Sequence, residues 1–168
     1  PGDHTIVSLA VDFYALSTTS YTHWRDFLET IVFVNQAACR VYGIPYATRV
    51  GLRYINRLTL ENTGATSVSE LWQVLRPELT VLLEGECWDE PQETLNQLLL
   101  AGGENEQLTL RSGFKGGEKP FFLLDLDYYS EGRIPLEDIS DLCHRYHDVI
   151  YNAFRWCIRE DKLDVFKS

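Results

Sequence analysis

Three arginines recur at every fourth position, Arg49, Arg53 and Arg57, within a segment of alternating apolar residues. A guanidinium group carries a rigid fork of donors that matches an oxyanion. A row of them on one strand face could therefore grip a phosphate or carboxylate. The same face could instead be neutralised from neighbouring strands, and Asp12, Asp125 and Asp127 stand at non-core positions suited to that. A second group, Asp141, His144, His147 and Asp148, lies towards the C-terminal end. Spacings of three and four bring such residues onto one helix face, where they could help to hold a transition metal. His144, His147 and Asp148 do not form a recognised metalloenzyme spacing, and no further ligand cluster accompanies them, so no metal is expected. The chain contains no Gly-x-Gly-x-x-Gly, no Walker-type loop and no Gly-x-Ser-x-Gly elbow, so neither a cofactor nor a catalytic residue is expected. The glycines around Lys115 read as a hairpin turn, since no helix follows to point its N-terminus at an anion.

The elements that must carry these residues follow from periodicity. Residues 48–61 alternate, with Val50, Leu52, Tyr54, Leu58 and Leu60 on one face and the arginines on the other, which predicts a long strand. Residues 6–15 alternate as well and read as one half-buried strand, followed by Ser17 to Ser20 as a break that offers helix-capping hydroxyls. From Thr22 the period changes: Trp24, Phe27, Leu28, Ile31, Asn35 and Ala38 mark a helix to Tyr42, ended by Gly43 and Pro45. Residues 67–84 read as two short helices divided at Pro77. Residues 94–100, 107–114 and 120–129 read as three strands separated by Gly102-Gly103 and Gly116-Gly117. Residues 135–159 form the longest predicted helix, followed by a charged tail expected to fray. Together these predict a single α+β domain over residues 1–168: a mainly antiparallel sheet of about five strands with two long helices on one face.

Composition narrows the classes of function. With 15 basic and 25 acidic residues the net charge is −10. That disfavours nucleic acid, whose phosphates need Lys and Arg to neutralise them, although single strands stacked on an Arg and Tyr sheet face remain a third reading. No apolar run approaches the roughly 20 residues of a membrane span, so no membrane association is expected. Cys39, Cys87, Cys143 and Cys157 have neither disulfide-like nor zinc-like spacing, which points to reduced structural thiols and a cytoplasmic setting. Charge is also segregated. Glu78, Glu84, Glu86, Asp89, Glu90, Glu93, Glu104 and Glu106 fall in a stretch without Lys or Arg, whereas residues 40–57 hold four arginines and no acid. Such segregation can steer a partner, and self-association of the Arg face with the acidic stretch of another copy is one form of it.

The nine residues Arg49-Val50-Gly51-Leu52-Arg53-Tyr54-Ile55-Asn56-Arg57 resemble a strand motif of a sporadically distributed family of conserved hypothetical bacterial and archaeal proteins. Leu9 to Phe13 followed by Tyr21-x-x-Trp24-x-x-Phe27 is similar to that family's strand-then-helix entry, and His147 with Phe154 to its C-terminal signature. Family members carry a further N-terminal region. The resemblance therefore implies that this chain is the C-terminal two-thirds of a longer protein, in keeping with its start at Pro1 and its lack of Met. It implies a fold and no activity. The expected function is a non-catalytic protein-interaction or regulatory domain, with a protein partner or self-association. The alternative is a binding or enzymatic domain that holds an anionic small molecule or nucleotide on Arg49, Arg53 and Arg57.

Overall fold

A computed structural model describes residues 5–83 and 91–166. The fold class is α+β. Among the described residues a two-stranded ribbon, β1 (Thr5–Leu9) and β2 (Tyr14–Thr18), precedes helix α1 (Trp24–Tyr42) and strand β3 (Ala47–Thr59). Three short helices follow, α2 (Leu60–Thr63), α3 (Val68–Trp72) and α4 (Pro77–Thr80). The strands β4 (Asn96–Ala101), β5 (Glu106–Lys115) and β6 (Phe121–Ile134) lead into α5 (Ile139–Cys157). The four later strands form one sheet in the order β3-β6-β5-β4. β4 runs antiparallel to β5, and β5 to β6. β3 runs antiparallel to β6, because Arg53 meets Asp125 while Arg57, further along β3, meets Phe121.

The chain divides into two compact units, one of residues 1–50 with 131–147 and one of 51–130 with 148–168. In the first, α1 ends as its sequence predicts: Gly43 takes φ 60°, and its N–H donates to the Cys39 carbonyl. Tyr14 donates to Asn35 Oδ1 at 2.7 Å, and Asn35 Nδ2 donates to the Leu136 carbonyl at 3.1 Å, so this buried amide is satisfied on both sides. Burial pushes the Cys143 thiol up to about 11. In the second unit, Leu52, Leu58, Leu71, Leu110, Phe122, Leu124, Leu126 and Ile150 are buried, and Trp72 meets Phe114 edge-on at 5.5 Å. The alternation expected of β6 holds there, with Phe122, Leu124, Leu126 and Tyr128 all buried. Burial raises the Cys157 thiol to about 12, against an opposing pull from Arg76, so this thiol is protonated at neutral pH. Cys39, Cys143 and Cys157 are unbridged, and Cys87 lies outside the described residues.

Four expectations need correction. Residues 6–15 are not one strand: the chain reverses through the Ala10 N–H to Phe13 carbonyl bond, and β1 pairs with β2 in a ribbon separate from the main sheet. Among the described residues the main sheet accordingly keeps four strands, within the mainly antiparallel α+β fold expected. Ser17 and Thr18 continue β2 instead of breaking it, and α1 is preceded by His23 without a side-chain cap. Leu60 leaves β3 and opens α2, where Thr59 and Asn62 form a reciprocal capping box. The tail is also ordered further than expected. Residues Glu160–Phe166 form a 3-10 helix whose Phe166 meets Phe154 edge-on at 5.4 Å.

Candidate functional site

The arginine stripe lies on the sheet face opposite the apolar layer. Odd-numbered residues of β4, β5 and β6 share that face, because each registered cross-strand pair is odd with odd or even with even. One row crosses all four strands. Arg53 on β3 grips Asp125 on β6 with two parallel bonds, Nε to Oδ1 at 2.7 Å and Nη2 to Oδ2 at 2.6 Å. Arg111 on β5 donates from Nη1 to Asp125 Oδ2 at 3.2 Å and from Nε to Gln97 Oε1 on β4 at 2.9 Å. Asp125 is only 3 % exposed. Burial by itself would raise its carboxyl, but the hydrogen bonds and charges of Arg53 and then Arg111 outweigh it and hold the group below the ordinary carboxylate range. Two guanidinium groups therefore share one carboxylate.

Neighbouring rows are also satisfied internally. Gly51 sits in the stripe between Arg49 and Arg53, where a Cβ would lie 3.1 Å from Tyr129 Cβ, and the Tyr129 hydroxyl bonds Gln107 Oε1. Arg57 lies over the Phe121 ring at 3.9 Å. Lys115 pairs with Glu93 at 2.7 Å. In the other unit, Arg49 approaches Glu131 at 4.0 Å. The three arginines expected to act together thus have three different neighbours, Glu131, Asp125 and Phe121. Asp125 was a foreseeable partner from strand parity. Arg111 and Gln97 were missed, because parity names a face but only the register places them in the same row.

The histidines of α5 serve α1. In the first unit the Trp24 indole N–H donates to His144 Nδ1 at 2.9 Å, and the same ring stacks on His147 at 4.4 Å with 6° between the planes. Phe27 and Tyr21 extend the cluster. His144 Nδ1 is thereby occupied as the acceptor of the indole N–H. Asp148 is exposed on α5. Among the described residues no group of three or more His, Cys, Asp or Glu is arranged to hold a metal ion.

Two concavities are lined by other residues. A cleft of about 570 Å³ in the first unit is lined by Val32, Asn35, Cys39, Arg40, Leu136 and Glu137, among others. One of about 310 Å³ in the second is bordered by Ser69, Trp72, Gln73, Pro77, Thr80 and Arg159. Neither includes Arg49, Arg53 or Arg57. No helix among the described residues is long and apolar enough to cross a membrane. Comparison of the chain with protein-family models, with curated proteins and with solved structures returns no match.

Proposed function

We propose that this domain is non-catalytic and acts through protein contacts, as an interaction or regulatory module of the cytoplasm. The observation that carries the reading is the pairing of Arg53 and Arg111 with Asp125, which occupies their donors within the sheet. An anion site needs guanidinium groups converging on a concavity with their donors available. Here the best-placed donors already grip a carboxylate, and neither cleft is lined by Arg49, Arg53 or Arg57. Exposed apolar side chains on strands also favour protein contacts, since large uncovered apolar surface marks an interaction site. The net charge of −10 is unsuited to nucleic acid.

The competing reading, an anionic metabolite or nucleotide held by Arg49, Arg53 and Arg57, is tested by thermal-shift measurements against nucleotides and phosphorylated metabolites. A ligand present at a hundred times its Kd adds about 2.7 kcal/mol to native stability, which moves the Tm by several degrees. The proposal predicts no such shift across the panel. A saturable shift that disappears in Arg53→Ala and Arg57→Ala would overturn it.

A further inference from the structure

We propose that the partner is a second copy of this chain, and that the two copies join by antiparallel pairing of their β4 strands about a two-fold axis. This rests on the reading that the domain acts through protein contacts and assigns the surface responsible. Among the described residues β4 is an edge strand, with β5 as its one neighbour in the sheet. The Thr94 N–H donates to the Phe114 carbonyl and the Gly102 N–H to the Glu106 carbonyl, which directs the backbone groups of even-numbered residues towards β5. The N–H and C=O groups of Leu95, Gln97, Leu99 and Ala101 consequently point outward.

Edge strands are ordinarily guarded by charge, proline or a covering element. β4 reads Asn-Gln-Leu-Leu-Leu-Ala, with no charge and no proline, and every residue of it is exposed. Leu98 and Leu100 are 47 % and 45 % exposed on the apolar side of the sheet, beside the buried Leu110 and Leu108. The apolar layer therefore stops unfinished at this edge. The opposite edge strand, β3, carries Arg49, Arg53 and Arg57. One guarded and one unguarded edge suit a closed pair rather than an open ribbon of sheets.

Charge and register select a copy of the same strand. Pairing about Leu99 sets Leu98 against Leu100 of the second copy, Leu99 against itself and Gln97 against Ala101. Every opposed pair is then uncharged, and each apolar residue of the unfinished layer gains an apolar neighbour. Residues 97, 99 and 101 are those whose backbone groups point outward, so the three pairs make about six interchain hydrogen bonds. The same register places Glu93 opposite Asn105 and Glu104 opposite Thr94, so no acid faces an acid. At long range two chains of charge −10 repel, so added salt tightens this pairing.

Light scattering and sedimentation on the full chain test the proposal, from low to high salt and into the hundred-micromolar range. The expected mass is about twice 19.4 kDa, with tighter association at higher salt. Leu99→Lys and Leu99→Glu place like charges opposite each other, and each variant alone should associate at least tenfold more weakly while keeping its far-ultraviolet circular dichroism. Mixed in equal amounts, the two variants should restore the dimer. A wild-type mass of 19.4 kDa throughout overturns the proposal. So does a dimer that ignores both Leu99 variants and weakens with salt, which would belong to the arginine and acidic surfaces and leave the protein-contact reading intact. Failure of that broader reading is seen separately, as an anion that stabilises the chain through Arg53 and Arg57.

Discussion

A carboxylate that is 3 % exposed would be costly in an apolar interior, yet Asp125 stays ionised because Arg53 and Arg111 hold it from two neighbouring strands. Asp125→Asn removes the charge while keeping the shape, and should destabilise the fold by about 1–3 kcal/mol. The cost stays at that level because the Arg53 and Arg111 side chains are 50 % and 32 % exposed and can return to water. The sign of the pH effect follows. The folded-state pKa of Asp125 lies below its unfolded value of about 3.9, so its contribution is complete above that value and is lost as pH falls through the lowered one. Urea titrations of wild type and Asp125→Asn should therefore converge on acidification below pH 4. A gap that stays constant down to pH 2 would contradict the charge-pair account. In the sequence Asp125 was legible as a non-core residue and a candidate partner of the stripe. Its burial was not, because that depends on which side chains the register brings over it.

Among the elements, the strands and helices with a clear change of period were legible and the turns less so. The alternation of Val7, Leu9, Val11 and Phe13 passes unbroken through a reversal that contains neither Gly nor Pro, so parity alone could not reveal the β1–β2 turn. Gly102 and Gly103 were correctly placed between strands, but the residue with positive φ in that turn is Asn105, at 59°. Gly102 is needed for another reason: a Cβ there would collide with the Tyr128 hydroxyl. β6 likewise continues past Tyr129, where the strand was expected to end, to Ile134. Gly113 shows most directly how closely the segment leading into β4 approaches β5, since a Cβ there would run into the Thr94 carbonyl oxygen. Backbone cannot yield as a flexible side chain does. Gly113→Ala should cost roughly 2–3 kcal/mol in chemical denaturation, a magnitude reached by strained or overpacked sites. An unchanged denaturation midpoint would mean that the backbone at Thr94 is not held against β5.

At the scale of the molecule, the segregation of charge was legible in the sequence, but its location was not. Glu84, Glu86, Asp89 and Glu90 of the acidic stretch lie outside the described residues, while Glu93 is paired with Lys115 and Glu106 accepts from the Tyr128 hydroxyl at 2.7 Å. What the sequence could not indicate is that the uncharged run from Leu98 to Leu100 would form an edge, because strand order is a property of the whole sheet. That placement turns three ordinary leucines into a template for another strand. The most direct measurement is residue-resolved amide hydrogen exchange across β4 as a function of protein concentration. Leu98 and Leu100 face β5, so their amides should be protected at every concentration. The outward amides of Gln97, Leu99 and Ala101 should exchange fast when dilute and gain protection together as the pair forms. Outward amides that stay fast at the highest concentration, or gain protection without dependence on concentration, would contradict the pairing of two copies through β4.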